Sequence, residues 1–266
     1  DLNGDGSKEL LVATDWGPVY CVYFEGRAPR MEALTANGWW RHVSVADLNG
    51  DGRWDIVAGG FGENHGINVK ANEPIELFIK DLDGNGDRDF VYSYYNHGKR
   101  YPLFGRDELI KESVRFRKQF LHNRAYAGRE LDQIFGSELD DAQHLSVSFT
   151  GSVALLSQGD RYQTVALPSR AQQAPLRASL AVGPTLYLAG GSNATNTLIG
   201  TQEGFCGMAI EVKTSDSDDG VLLWETQPFP TLLRGSVAQM LPYQGGVVAL
   251  MNDGPALYFP LETHTP

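Results

Sequence analysis

The sequence predicts an all-β fold, a β-propeller of about five blade-like modules, with a short α-helical insertion near residues 106–136. Two observations predict this fold. Three acidic nine-residue segments recur at spacings of 46 and 34 residues, which is the period of propeller blades and solenoid repeats. Short runs of β-forming residues stand on both sides of each segment. The chain has 266 residues, 42% of them hydrophobic, so it can bury a core and is not mainly disordered.

The three acidic segments predict metal sites. They read DLNGDGSKE at 1–9, DLNGDGRWD at 47–55 and DLDGNGDRD at 81–89. Each places an oxygen-bearing side chain at positions 1, 3, 5 and 9 and glycine at positions 4 and 6. Alternate oxygen ligands in a tight glycine-containing loop suit Ca²⁺, and the backbone carbonyl of position 7 adds a further ligand. The predicted ligands of up to three Ca²⁺ ions are Asp1, Asn3, Asp5, Ser7, Glu9, Asp47, Asn49, Asp51, Arg53, Asp55, Asp81, Asp83, Asn85, Asp87 and Asp89.

Two other interpretations of these segments are less favourable. An EF-hand needs a glutamate at position 12 and a helix on each side, but position 12 is Val12, Ala58 or Tyr92. A metal-free hairpin turn needs only one or two Asn, Asp or Gly residues, whereas the three segments hold ten of the chain's 33 acidic residues. Because so many carboxylates would repel one another, the pattern favours a bound cation. Glu9 departs from the pattern, since the other two segments end in aspartate.

The chain divides into five predicted modules of a single propeller domain, or of a fragment of one. The first modules contain the predicted strands 10–14, 19–24, 30–34 and 39–46. The hairpin of 153–157 and 162–167 is predicted as the outer half of the third module. Sequence before Asp1 is expected to supply the remaining blades or the closing strand. The module boundaries are about 1–34, 39–72, 75–170 with its helical insertion at 106–136, 177–230 and 235–266.

The insertion at 106–136 follows a different periodicity. Its apolar residues recur at mixed spacings of three and four, which predicts one or two helices with a break near His122 and Asn123. Asp107 is the predicted N-cap, and Gly136 is the predicted end of the helical region.

The acidic segments resemble the FG-GAP/VCBS repeats of integrin-like β-propellers, in which this loop binds Ca²⁺ between the first two strands of a blade. A second resemblance, from Gly59 to Gly136, includes FGEN at 61–64, KANEP at 70–74 and RDEL at 106–109. It is similar to a block of large bacterial VCBS-repeat proteins that often carry an ASPIC/UnbV domain. The resemblance implies a C-terminal piece of such a protein, located outside the cell or on its surface.

Composition limits the partners. The net charge of −11 argues against nucleic acid and anionic lipid, and no apolar run is long enough to span a membrane. The expected partner is therefore a protein or polysaccharide ligand at the cell surface, and Trp39 and Trp40 are candidates for stacking on sugar rings. Two cysteines, Cys21 and Cys206, are too few for a disulfide scaffold, and the sequence leaves their pairing open.

The chain is predicted to be a non-enzymatic, Ca²⁺-stabilised module for recognition, adhesion or assembly. It carries no HExxH, GxSxG, P-loop or Rossmann motif. The alternative is a polysaccharide lyase or glycoside-degrading enzyme on the same scaffold. Such an enzyme would use a tyrosine or histidine after the third acidic segment as acid or base, and the candidates are Tyr92, Tyr94, Tyr95 and His97.

Overall fold

The computed structural model confirms the all-β class. It describes residues 1–24, 28–192, 202, 205–214, 222–227, 229, 233 and 235–261. Strand content is 45% and helix content 10%, and the strands form six antiparallel sheets consistent with a propeller-like fold. The chain divides into two compact units, Asp1–His65 with Thr150–Pro266, and Gly66–Phe149. The expectation of one propeller over the whole chain stays a prediction, and the predicted module ends at 230 and 262–266 lie outside the described residues.

The first unit contains five sheets. Their orders are β1-β3-β4, β2-β5, β13-β12-β7-β6, β14-β15-β16-β17 and β18-β19-β20. The strands before the break in the chain are β1 (Leu10–Val12), β2 (Asp15–Gly17), β3 (Tyr20–Tyr23), β4 (Arg30–Ala33), β5 (Gly38–Trp39), β6 (His42–Ala46) and β7 (Asp55–Gly59). Those after it are β12 (Val153–Ser157), β13 (Tyr162–Ala166), β14 (Leu176–Val182), β15 (Thr185–Gly190), β16 (Met208–Thr214), β17 (Leu222–Gln227), β18 (Val237–Tyr243), β19 (Gly246–Met251) and β20 (Leu257–Pro260), with a 3-10 helix at Ser169–Gln172.

The second unit contains one sheet and four short helices. The sheet has the order β10-β9-β8-β11, and the four helices lie between its third and fourth strands in the chain. The strands are β8 (Ile75–Lys80), β9 (Asp89–Asn96), β10 (Lys99–Pro102) and β11 (Gln143–Val147), and the helices are α1 (Arg106–Glu112), α2 (Phe116–Gln119), α3 (Asn123–Tyr126) and α4 (Leu131–Phe135). No helix among the described residues is both long and apolar enough to cross a bilayer.

The outer hairpin pairs differently from the prediction. The hairpin of β12 and β13 does not join the sheet of β8 and β9, as the predicted third module required; β12 pairs with β7, with Val153 opposite Ala58 and Leu155 opposite Ile56. The sheet of β6 and β7 is therefore completed only after the whole second unit. The chain leaves the first unit after Gly62 and returns to it at Thr150. These two points are adjacent, because the Gly62 amide donates to the Thr150 carbonyl over 2.8 Å. Joined ends allow a long insertion at little entropic cost to the sheet.

The helical insertion is confirmed, but its details differ. Four short helices replace the one or two that were predicted, with a break before Asn123 as expected. The N-cap of α1 is Gly105 rather than Asp107. Gly136 ends α4 with a φ of 56°, a backbone conformation that glycine adopts without strain. The short helices pack one apolar cluster against the sheet, in which Phe116 and Leu131 are fully buried.

Two cores join the sheets of the first unit. One lies between the β6-β7 sheet and the β14-β15 sheet and includes Leu176 and Leu188. The other lies between the β14-β15 sheet and the β18-β19 sheet and includes Tyr187 and Phe259. Glycine permits close backbone contacts beside the first core. A Cβ on Gly60 would stand 2.1 Å from the Gly151 carbonyl oxygen.

We expect Gly60→Ala to lower the free energy of unfolding by more than about 2 kcal/mol, because the backbone that would clash with the new methyl group is itself paired. Gly66→Ala is the matched control, since a Cβ added at Gly66 would have no atom within 4 Å. Urea denaturation measures both. Equal stability of the two variants would contradict the close packing at Gly60.

A half-buried histidine also links two sheets of the first unit. The Ser179 amide of β14 donates to Nε2 of His42 on β6 over 3.0 Å, and the Ser179 hydroxyl lies 2.8 Å from the same nitrogen. Nε2 is therefore an acceptor, and the imidazole is neutral. Burial lowers the pKa of His42 to about 4, because a charged ring would lose its solvation.

Stability should therefore depend on pH through His42. Between pH 6.5 and 4 the unfolded chain protonates this ring while the folded chain does not, so His42 lowers stability as the pH falls through this window, by at most roughly 3 kcal/mol. In EGTA, unfolding free energies at pH 7 and pH 4.5 should differ less for His42→Gln, whose amide oxygen still accepts, than for the unchanged chain. The exposed His122→Gln is the control. Parallel pH profiles for the unchanged chain and His42→Gln would refute this role.

Candidate metal centres

Each acidic segment forms a loop at the start of a strand. Loop one (residues 1–9) precedes β1, loop two (47–55) connects β6 to β7, and loop three (81–89) connects β8 to β9. The predicted strand–loop–strand unit is thus present at loops two and three. Strands rather than helices flank both, which agrees with the exclusion of an EF-hand.

The aspartate at position 1 binds the backbone of its own loop. In loop two, the amides of Gly50 and Gly52 donate to the two carboxylate oxygens of Asp47 over 2.8 and 2.9 Å. Both glycines have positive φ angles, 74° and 80°, so side chains other than glycine would strain the turn. The same pair of bonds runs from Gly4 and Gly6 to Asp1 and from Gly84 and Gly86 to Asp81.

The carboxylate at position 9 closes the loop from the other end. Asp55 accepts the amide of Leu48 at position 2 over 2.8 Å, and its second oxygen accepts the Ser157 amide of β12 over 2.8 Å. Asp55 is fully buried. Equivalent position-2 bonds run from Leu2 to Glu9 and from Leu82 to Asp89. Glu9 therefore fills the same role as the aspartates despite its extra methylene.

Side chains at positions 3 and 5 complete the turn. In loop one the Asp5 amide donates to Asn3 Oδ1 over 3.0 Å, and the Ser7 amide donates to Asp5 Oδ1 over 2.7 Å. In loop three Asn85 replaces aspartate at position 5 and still accepts the Asp87 amide over 2.7 Å. The amide bonds to positions 1, 5 and 9 thus occur in all three loops.

The electrostatics disfavour the charged form of the position-9 aspartates in loops two and three. Burial raises the pKa of Asp55, and the nearby Asp51 and Asp47 raise it further, against the backbone bonds that lower it. Burial also raises the pKa of Asp89, with Asp83 and Asp81 adding to the effect. A cation among these oxygens would favour the charged forms.

Loops one and three bring three carboxylates together. One oxygen each of Asp1, Asp5 and Glu9 lie within 4.8 Å of one another, and the same holds for Asp81, Asp83 and Asp89. Side-chain carboxylates and a position-7 carbonyl form an oxygen-only donor set, which fits Ca²⁺. The sequence pattern identifies these side chains only as ligands; their second role, as acceptors for the loop amides, follows from the glycines at positions 4 and 6.

Loop two differs from the others in a way that the sequence pattern did not indicate. Arg53 at position 7 donates from Nε and Nη2 to Oδ2 of Asp51, over 3.2 and 2.9 Å. This side-chain bond is the main reason that the pKa of Asp51 lies below its ordinary value. A cation coordinated by Asp51 would compete with the guanidinium group, so loop two should bind a divalent ion more weakly than loop three.

The aromatic candidates from the sequence have structural roles. Trp39 and Trp40 are 7% and 3% exposed, so neither presents a ring to a sugar, and that interpretation is wrong. Tyr92 packs edge-on against Phe104 with ring centroids 5.0 Å apart. His97 lies in the turn between β9 and β10 with a φ of 51°, away from the side chains of the strand.

A polar cluster on the second unit's sheet surrounds the buried Glu76. Its carboxylate lies 3.0 Å from Nε2 of His144 and accepts from the Ser93 hydroxyl over 2.9 Å and from Arg100 over 3.4 Å. Arg100 also donates to Asp132 over 2.5 Å. Because these groups satisfy one another, the cluster stabilises the sheet and its contact with α4.

Cys21 and Cys206 are both free thiols.

Comparison with known proteins finds one family that matches part of the chain. The sequence model of the FG-GAP-like repeat family matches residues 1–58. That match spans loops one and two, and loop three lies outside it. No curated protein and no solved structure matches the chain.

The buried position-9 carboxylate should support the fold independently of metal. We expect Asp55→Ala to lower the free energy of unfolding by about 2–4 kcal/mol in EGTA, since it leaves the Leu48 and Ser157 amides without their acceptor. Asp51→Ala, an exposed position in the same loop, should change the value in EGTA by less than about 1 kcal/mol. Urea denaturation in chelator separates the two; equal losses would show that Asp55 has no structural role beyond its charge.

Proposed function

We propose that this chain is a calcium-stabilised recognition module at the cell surface or outside the cell, built from FG-GAP-like repeats and without enzymatic activity. The hydrogen-bond pattern shared by the three acidic loops carries this proposal. It draws three carboxylate oxygens together at the start of β1 and of β9, where their mutual repulsion calls for a cation. The FG-GAP-like match at residues 1–58 supports a propeller-type module of the kind used for recognition.

Calcium would be held by the side chains of positions 1, 3, 5 and 9 and by the carbonyl of position 7 in each loop. When bound, it neutralises the clustered carboxylates and so fixes the turn between two strands. The chain's own residues set the geometry, since the loop amides already orient Asp1, Asp47 and Asp81. The proposed location outside the cell rests on the resemblance of the three loops to FG-GAP/VCBS repeats.

The ligand of the module would be a protein or a polysaccharide. The alternative of a polysaccharide lyase or glycosidase has less support. The tyrosine, histidine and arginine that such an enzyme needs do lie together around Glu76, as Tyr95, His144 and Arg100. However, the two carboxylates of Asp132 and Glu76 outnumber the single charge of Arg100, so this group would repel a substrate carboxylate.

Removal of calcium should lower the melting temperature. We expect EGTA to lower it by at least about 5 °C, because carboxylate repulsion then opposes the folded loops; added Ca²⁺ should restore the value and Mg²⁺ should do so poorly. Calorimetric titration should give up to three sites, with one fewer in Asp81→Ala. Equal melting temperatures with and without chelator would refute the proposal.

The same calorimetric titration can test whether the Arg53–Asp51 bond weakens calcium binding at loop two. Arg53→Ser, which copies Ser7 of loop one, should tighten the weakest site because no guanidinium then competes for Asp51. Arg88→Ser is the matched control, since position 8 has no part in the ligand set. An unchanged weakest site in Arg53→Ser would exclude this competition.

A further inference from the structure

Trp16 has a backbone conformation that its residue type disfavours. Its φ is 66°, in the left-handed region where a bulky residue is an outlier. The other two non-glycine residues with positive φ, among those described, are His97 and Gln244, and each is followed by glycine in a hairpin turn. Trp16 instead lies within β2. An ordinary turn therefore does not explain it.

The strain coincides with a β-bulge. In the pairing of β2 with β5, Asp15 lies opposite Trp39 and Gly17 opposite Gly38, so Trp16 is the extra residue. Glycine commonly occupies the left-handed position of such a bulge, and bulges often redirect a side chain next to a functional site. A tryptophan held there at an energetic cost points to a use for its indole ring.

The indole belongs to a layered aromatic group. Trp16 packs edge-on against Trp39 with centroids 5.6 Å apart, and Trp39 packs against Phe61 at 5.2 Å. Trp39 and Phe61 are buried, whereas Trp16 is half-buried. The two buried rings thus form a rigid base for an indole that solvent reaches in part.

Asp15, the residue before Trp16, lies near two arginines. Arg41 donates to Asp15 over 2.9 Å, with side chains 31% and 45% exposed, and its guanidinium lies 5.8 Å from the centre of the Phe61 ring. Arg177 donates from Nε to the Gly191 carbonyl over 3.1 Å. Among the described residues, the other two nitrogens of Arg177 have no hydrogen-bond acceptor.

The backbone keeps the two arginines close. The Arg41 amide donates to the Gly59 carbonyl over 2.7 Å, and the amide of Leu176, the residue before Arg177, donates to the next carbonyl, that of Gly60, over 3.0 Å. Burial lowers the pKa of Arg177, and the positive charge of Arg41 lowers it further. The group of Asp15, Arg41 and Arg177 has one net positive charge on a chain whose net charge is −11. An anion at this point would relieve the repulsion between the arginines.

We propose that Trp16, Arg41 and Arg177 form a binding site for an acidic sugar, with the sugar ring against the indole and its carboxylate on the guanidinium groups. Asp15 then accepts a bond from a ring hydroxyl. This set satisfies an acidic sugar better than an acidic peptide, because a peptide carboxylate offers no flat ring for Trp16. The site rests on the proposed recognition function and names its ligand class.

The site is separate from the metal loops. Loop one precedes β1 and Trp16 follows it; loop two precedes β7 and Phe61 follows it. The five residues of β7 span about 15 Å at roughly 3.3 Å per residue. Calcium in the loops therefore does not reach the proposed sugar, and recognition depends on the side chains of Trp16, Arg41 and Arg177.

The test is calorimetric titration of the full chain in saturating Ca²⁺ with three probes: trigalacturonate, its methyl ester and a short poly-glutamate. We expect trigalacturonate to bind at least about tenfold more tightly than either of the others. Arg177→Gln and Trp16→Gly should each weaken it about tenfold or more, while Arg170→Gln, which changes an exposed arginine elsewhere on the first unit, should not. Trp16→Gly should keep or raise the melting temperature, because glycine relieves the positive φ.

Several outcomes would overturn the site. These are equal binding of poly-glutamate, unchanged affinity in Arg177→Gln, or no binding of any probe. A chain that melts lower in EGTA but binds none of the probes would lack the sugar site and keep the calcium function. A chain that binds trigalacturonate but shows no chelator effect would have the sugar site and lack the calcium function.

Discussion

The structure depends on carboxylates that accept backbone amides. At positions 1 and 9 of each acidic loop, a side chain takes the amides that a tight turn leaves without partners, and at loop two Asp55 also takes an amide of the neighbouring strand β12. Ordinary turns satisfy their amides with carbonyls or water. Using carboxylates holds the turn more firmly, because bonds to a charged acceptor are stronger, but it collects negative charge where two strands begin. We therefore propose that a cation balances the negative charge that the folding of the loops collects.

Much of this could be predicted from the sequence because it is local. The spacing of Asp, Asn and Gly within nine residues determines the loop, and the hairpin predicted at 153–157 and 162–167 forms at Val153–Ser157 and Tyr162–Ala166. The segment predicted as a strand at 39–46 likewise contains part of β5 and all of β6. Local chemistry decides these features, and a single sequence contains it.

Long-range pairing was not visible. The hairpin 153–166 has the same alternation whether it joins β7 or β9, so its residues do not specify the partner. The choice is made by contacts such as the Asp55 bond to the Ser157 amide and the packing of Gly60 against Gly151. The predicted break near His122 was correct, but the predicted number of helices was wrong. Apolar spacings of three and four residues continue across the turns that separate these short helices, so the spacing does not show where each helix ends. The backbone conformation of Trp16 was equally hidden, since tryptophan predicts a strand and gives no indication of a positive φ.

The loops and the Trp16 group illustrate two opposite uses of local strain within the first unit. In the loops, glycine occupies the left-handed positions, so the turn is unstrained and its difficulty is electrostatic. At Trp16, a bulky residue occupies a position of the same kind, so the difficulty is steric, and the surrounding rings of Trp39 and Phe61 hold it in place. An electrostatic cost can be offset by an ion from solvent, whereas a steric cost persists in every state of the folded chain. A feature that carries such a permanent cost needs an explanation in what the half-buried ring contacts, and for this reason we propose the indole, rather than the loops, as part of the surface for a ligand.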